Sequence, residues 1–341
     1  MKSYIRFAAI AGTLSLTACG GASASSGETT LRFADWFPDS HIAVTEGSAY
    51  WMDLVTERTN GQVKFDHYPA EQLGKSTDFL SMLQAGATDG AALGTAYYSS
   101  ELPISGVGSL PGMYEKSCDG TRAYWDVVNP SSDVATTELS DQGVHPLFAA
   151  AAPPYELLTS STKVESPEDA AGLKVRSSGG TYQNAVEAVG AAPIQLTSAE
   201  TYEGISRGTV DGVLFSYSTA MEYSLEEVVN YGTDGASFGG FTIIYGLKSD
   251  VWEQLSPENQ EILQQAGVET MDHLCESFDE ETATAKEAMT EQGVEISELS
   301  NSERNAWSES LSIVREDWLD NGNFDKEVAE DALKDMEQAA S

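Results

Sequence analysis

One arginine at the end of a short apolar run is the residue of this chain whose surroundings most clearly suggest chemistry. Ser166-Pro167-Glu168-Asp169 has the marks of a helix start: a hydroxyl able to cap, proline at the first helical position and acids behind it. Gly172 suits the left-handed residue that closes such a helix. Leu173 to Val175 is too short for a further helix and reads as a strand whose carboxyl end carries Arg176. In open α/β sheets, ligands sit in the crevice beyond those ends. A guanidinium stays charged at ordinary pH and forks onto a carboxylate through two parallel hydrogen bonds, so Arg176 is suited to an organic anion.

Other candidates carry less. Gly235-Ala236-Ser237-Phe238-Gly239 has the G-x-S-x-G spacing of a hydrolase nucleophile elbow. That elbow needs a strand before the serine and a helix after it. Here a Gly- and Asp-rich turn precedes and the β-rich run Phe241 to Leu247 follows, so no enzyme activity is expected. His41, His67, His145 and His273 are dispersed and no CxxC occurs, so no metal or cofactor is expected. Cys118 and Cys275 have two readings. They form a disulfide if their Cα atoms come within about 7 Å in an oxidising compartment, or they are two free buried thiols.

Lys2 and Arg6 precede the apolar run Phe7 to Leu16, the layout of a secretory leader over residues 1–18 that is too short to span a bilayer. Leu16-Thr17-Ala18-Cys19 resembles the bacterial lipobox, in which the leader is cut before the cysteine and the thiol takes a lipid. Cys19 is then a membrane anchor and the protein a periplasmic lipoprotein; the alternative is ordinary cleavage beside an incidental cysteine. Residues 19–28, rich in Gly, Ala and Ser, read as a flexible tether. The formal net charge of −36 excludes nucleic acid as a partner. The acids are spread along helical faces rather than bunched in a tail, as on a solvated surface.

A 41% hydrophobic composition and alternating strand-like and helix-like segments predict two α/β lobes. Leu31 to Ala34, Val63 to Tyr68 and Asp89 to Gly94 read as strands, with helices over Ala43 to Thr59 and Ser76 to Ala85 between them. Val144 to Ala149 is a further strand, and the double proline Pro153-Pro154 suggests that the chain crosses there to a second lobe beginning at Glu156 to Thr159. Thr197-Ser198-Ala199-Glu200 is a capping box opening a helix that stops at Gly208, and Val210 to Phe215 is the next strand. A return crossing near Gly239-Gly240 leads to Phe241 to Leu247. From Ser256 the pattern is helical almost to Gln292, long enough to run across both lobes, and helices near Ser302 to Leu319 and Lys326 to Gln338 end the chain. The expected division is residues 29–153 with 241–280 in one lobe and 154–240 with 281–338 in the other.

Laid out in this way, the chain resembles the solute-binding proteins of tripartite ATP-independent periplasmic (TRAP) transporters. The likeness rests on Tyr68-Pro69-Ala70-Glu71-Gln72-Leu73-Gly74, on Gln84-Ala85-Gly86-Ala87-Thr88-Asp89, and above all on the block from Gly172 to Gly212. It implies a periplasmic-binding-protein clamp with mixed sheets and an interlobe hinge, which shuts on a small organic acid and delivers it to a membrane permease. By position Arg176 is the arginine that holds the ligand carboxylate.

Departures from the family pattern shape the expected ligand. Where some relatives carry a second arginine, this chain has Glu156, which repels a second carboxylate and can accept from an ammonium; an interlobe salt bridge is the other reading. In place of Gln-Glu-Asn-Pro stands Val213-Leu214-Phe215-Ser216, so that Phe215 takes the asparagine position. Trp36 ends the first strand and Tyr97 lies beyond the third, while Phe238 and Phe241 come near the cleft from the return crossing, as ligand walls or as core. Aromatic walls suit a monocarboxylate with an apolar or aromatic body. The alternatives are a zwitterion, such as an amino acid or compatible solute, held by Arg176 and Glu156, and, in another class, an extracytoplasmic sensor or scaffold lipoprotein.

Overall fold

The computed structural model describes residues 28–339; the leader, Cys19 and the tether up to residue 27 lie outside them. Eleven strands are described: β1 (Thr29–Ala34), β2 (Val63–Tyr68), β3 (Gly90–Gly94), β4 (Val144–Pro154), β5 (Glu156–Thr159), β6 (Lys174–Ser177), β7 (Ala192–Gln195), β8 (Gly212–Phe215), β9 (Tyr231–Asp234), β10 (Gly240–Lys248) and β11 (Glu295–Glu298). They form two sheets, ordered β2-β1-β3-β10-β4 and β11-β9-β5-β8-β6-β7. In the first, β10 runs antiparallel to both neighbours; in the second, β5 runs antiparallel to β8 and β9. Helices α1 (Ala49–Arg58), α2 (Phe79–Ala85), α3 (Ser117–Val128), α4 (Thr181–Ala188), α5 (Thr201–Ser206), α6 (Tyr217–Glu222), α7 (Ser249–Gln254), α8 (Pro257–Glu291), α9 (Asn301–Asn321) and α10 (Lys326–Ala339) complete the mixed α/β architecture.

Two features read from sequence take a different form. β4 runs on through both prolines instead of stopping at Ala149, because it is an edge strand and a missing N–H is tolerated there. Ser166 does sit in a capping box with Asp169, but the helix it opens is a single 3-10 turn over Pro167–Ala170. Of the strands not read from sequence, β7 among them, β9 (Tyr-Gly-Thr-Asp) and β11 (Glu-Ile-Ser-Glu) are four-residue polar segments that pair with each other. Their register comes from pairing and not from apolar alternation.

The chain passes between the sheets at Tyr155, which links β4 to β5, and again between β9 and β10. The two crossings are tied together: the Tyr155 amide donates to the Gly239 carbonyl at 2.7 Å and the Phe238 amide donates to the Tyr155 carbonyl at 2.9 Å. Helix α8 starts at Pro257, with the Ser256 hydroxyl accepting from the Asn259 amide at 3.2 Å. At 1.5 Å rise per residue its 35 residues extend about 52 Å. It packs on β4 of the first sheet and on α6 and β11 at the second, so one rigid element braces both. Cys118 on α3 and Cys275 on α8 are disulfide-bonded, with 4.7 Å between their Cα atoms.

Candidate functional site

Strand β6 places Arg176 between β7 and β8, opposite Ile194 and Val213. Its side chain is fully buried. Nε donates to the Leu196 carbonyl at 3.0 Å and Nη1 to the Leu214 carbonyl at 3.3 Å, so the backbone of both neighbouring segments fixes the fork. The guanidinium carbon lies 4.6 Å from the centroid of the Phe215 ring. Nη2 is buried and has no partner. A buried cation without a counter-charge is costly by several kcal/mol, and an anion placed at Nη2 would offset that cost.

Around the arginine, ring contacts form a closed circuit. From Phe215 it runs to Tyr223 (5.9 Å between centroids), to His41 (6.0 Å), to Phe37 (4.0 Å) and to Trp36 (4.4 Å). It returns through Phe241 (6.1 Å) and Tyr155 (6.0 Å) to Phe215 (5.6 Å). Tyr97 braces it with an edge contact to Trp36 and a tilted one to Phe241, and its hydroxyl lies 3.2 Å from Ser198 Oγ. Tyr182 stacks on Tyr155 at 5.1 Å. A small enclosed cavity is bounded by Trp36, Phe37, Tyr155, Ser198, Thr219 and Phe241 among others. Burial pushes the phenols of Tyr155, Tyr182 and Tyr223 far up, so each remains a neutral hydroxyl donor.

Local structure explains these positions. Trp36 follows β1 on a loop held by the buried Asp35, whose carboxylate accepts from the Phe37 amide at 3.1 Å and the Ser48 hydroxyl at 2.8 Å. Phe241 lies over Gly94: a Cβ there would come within 2.7 Å of the ring. Gly179, at φ +94°, lets the β6–α4 turn approach the first lobe, where an added Cβ would sit 3.1 Å from the Ala96 carbonyl oxygen. Contacts across the mouth hold the two sides together: Lys75 pairs with Glu200 at 2.7 Å, and the Thr181 hydroxyl donates to the Ser109 carbonyl at 3.2 Å.

The structure thus brings Arg176, Trp36, Tyr97, Phe215 and Phe241 together. It places two other sequence candidates elsewhere. Phe238 packs edge-to-face on Trp307 of α9, 5.3 Å away, as core. Glu156 is turned into the crossing between β9 and β10, where its carboxylate accepts from Thr233 Oγ1 at 2.6 Å and from the amides of Gly235, Ala236 and Ser237 at 3.0, 3.0 and 3.4 Å. It forms neither an interlobe salt bridge nor a side of the ring circuit. Burial pushes its pKa up to about 7 despite these bonds. Ser237 is followed by β10 and not by a helix, so the elbow context is missing. A groove of about 940 Å³ lies against this crossing and is lined by charged side chains that include Glu156 and Asp234 of the second sheet, Asp279 and Lys286 of α8, and Arg304 and Arg315 of α9. Arg176 does not reach it.

Tyr155, Tyr182, Tyr223, Phe37 and His41 are site residues that sequence reasoning missed. Tyr155 between the double proline and β5, and Tyr182 two residues after Gly179-Gly180 in the first turn of α4, stand at positions whose backbone signals were readable. Tyr223, just past the short helix α6, carries no such signal. Among the described residues no group of side chains is arranged to hold a metal ion, and no helix is long and apolar enough to cross a membrane.

Known proteins place this geometry in a family. The model for bacterial extracellular solute-binding protein, family 7 (DctP) matches residues 33–320. The C4-dicarboxylate-binding periplasmic protein DctP of Rhodobacter capsulatus is 26% identical over 288 residues, covering 82% of this chain and 84% of that one. A solute-binding protein of Albidiferax ferrireducens is 25% identical over 79% of this chain and 78% of its own length. Among solved structures, a TRAP solute-binding protein from Rhodoferax ferrireducens with copurified benzoate superposes with TM-score 0.83 at 20% identity, covering 92% of this chain and 97% of that one. One from Bordetella bronchiseptica with bound mandelate gives 0.83 at 23% identity, over 92% and 98%. With the family match running from the first strand through the last residues but one of α9, this chain belongs to the bacterial extracellular solute-binding protein family 7 and is a transport solute-binding protein, not an enzyme.

Proposed function

We propose that this protein captures a monocarboxylate with an apolar or aromatic body and delivers it to the membrane permease of a TRAP transporter. The observation that carries the reading is the buried Arg176 with an unpartnered Nη2 inside a closed circuit of aromatic rings. The carboxylate meets the guanidinium and the neutral tyrosine hydroxyls, and the rings enclose the body. Benzoate and mandelate, bound by the two structural relatives, have this shape. A single buried cation favours one carboxylate over two. The zwitterion reading through Glu156 is less supported, since that carboxylate is spent on its own turn. Lipidation at Cys19 would hold the protein at the membrane beside the permease, with the lobes divided at the crossings 153–154 and 240–241 and closing about them.

Isothermal titration of the mature protein with benzoate, 3-hydroxybenzoate and mandelate tests this. Micromolar or tighter binding is expected for at least one. Arg176→Ala removes one partner of a buried charged pair, a loss on the order of 2–5 kcal/mol, so affinity falls at least tenfold. Unchanged affinity in that variant rejects the assignment. Arg176→Lys keeps the charge without the fork and controls for folding.

A further inference from the structure

We propose that the cleft contains a second polar subsite, made of the Nε2–H of His41, the Nε1–H of Trp36 and the hydroxyl of Tyr223, which selects acids bearing a hydroxyl or carbonyl oxygen on the body, away from the carboxylate. The inference rests on the carboxylate reading of Arg176 and narrows its ligand class.

All three groups are side chains of the ring circuit, and all three have a buried polar atom without a partner. Native interiors rarely leave such atoms unpaired, and each orphan asks for an explanation. These three are not scattered. Phe37 sits between Trp36 and His41, at 4.4 and 4.0 Å, and Tyr223 follows His41 at 6.0 Å, so the orphans occupy one continuous arc. Tyr223 in turn contacts Phe215, the ring under Arg176. The arc therefore starts beside the arginine and runs to the wall provided by the loop after β1.

The chemistry of the arc is one-sided. His41 Nδ1 accepts the Ala43 amide at 3.0 Å, which fixes the tautomer and leaves the proton on Nε2. Burial holds this imidazole neutral, with its pKa down at about 3, so it offers one N–H and no charge. The indole N–H only donates, and the Tyr223 phenol is kept protonated by burial. Three neutral buried donors along one arc of rings call for a neutral oxygen acceptor on the ligand. They suit a second carboxylate less well, because no cation accompanies them. A site built to bond an oxygen discriminates strongly against the analogue that lacks it, because its own buried groups are then left unpaired.

Matched acids differing by one oxygen test the subsite on the mature protein: benzoate against 3-hydroxybenzoate, phenylacetate against 3-hydroxyphenylacetate, and butyrate against 3-hydroxybutyrate, each by isothermal titration. At least one oxygenated member is expected to bind tenfold or more tightly than its partner. In Trp36→Phe and in His41→Leu that ratio is expected to fall to within about threefold, while His41→Gln, which retains an N–H, recovers part of it. Equal affinity within every pair in the wild type overturns the subsite while leaving the carboxylate reading intact. So does a preference that survives both Trp36→Phe and His41→Leu. Absence of binding to every acid overturns the carboxylate reading itself, and the subsite with it.

Discussion

The guanidinium of Arg176 lies flat enough on Phe215 to bring its central carbon within 4.6 Å of the ring centroid, and the two residues come from adjacent parallel strands, β6 and β8. Phe215 thus does two things: it supports the cation that meets the ligand and it closes the aromatic circuit between Tyr155 and Tyr223. A desolvated cation–π contact is worth about 1–2 kcal/mol. Phe215→Leu is expected to weaken binding of aromatic acids about five- to thirtyfold, measured by titration with benzoate or 3-hydroxybenzoate. An affinity within twofold of wild type would remove Phe215 from the binding wall.

Gly94 sets the position of a ring it does not itself contact through a side chain. A methyl there would lie 2.7 Å from Phe241 Cε1, closer than such carbon atoms approach, and 3.1 Å from Tyr97 Cδ2, tighter than most such contacts. Both rings belong to the candidate site, and both must move. Overpacking of this kind costs about 1–3 kcal/mol. Gly94→Ala is expected to lower the melting temperature and also to reduce ligand affinity at least fivefold. A fall in stability with unchanged affinity would show that the ring positions do not matter to binding.

The disulfide between Cys118 and Cys275 joins α3 to α8 across a sequence separation of 157 residues. Closing so long a loop restricts the unfolded chain strongly, and loss of such a bond costs about 2–5 kcal/mol. The bond lies among elements that pack on β4. Cys118→Ser with Cys275→Ser is expected to lower the melting temperature by several degrees and leave ligand affinity within about twofold.

How much of this was legible in the sequence depends on what fixes each feature. Arg176 was readable because local signals surround it: the capping sequence at Ser166, the left-handed Gly172 and a short apolar run. Trp36, Tyr97 and Phe215 were readable because each stands at or just beyond the end of a strand with a clear pattern. Tyr223 and His41 were not, because their places depend on how the loop after β1 meets α6, a contact between residues about 180 apart in sequence. Glu156 misled for a related reason. Alignment position suggested a ligand contact, whereas the donors it satisfies lie on a turn about 80 residues further along the chain. A carboxylate serving backbone amides across that distance leaves no local trace.

That carboxylate predicts a pH dependence. Glu156 is buried at the joined crossings, and desolvation, reinforced by the nearby Asp234, raises its pKa from 4.5 to about 7 in spite of four accepted hydrogen bonds. The folded state therefore holds this proton more tightly than the unfolded state does. Its contribution to stability is fully present below about pH 4.5 and is lost as pH rises toward 7, a change on the order of 3 kcal/mol at 1.36 kcal/mol per pKa unit. Other titrating groups add their own slopes, so the comparison must be with a variant that cannot titrate at this position. Glu156→Gln supplies it, at the cost of turning an amide N–H₂ toward the amides of the 235–237 turn and destabilising the fold at every pH. The stability advantage of the wild type over Glu156→Gln is expected to be largest at about pH 4.5 and below and to shrink by pH 8, followed by melting temperature without ligand. An advantage that grows with pH would mean that the four hydrogen bonds outweigh burial, that the carboxyl is ionised throughout, and that its pKa lies below 4.5.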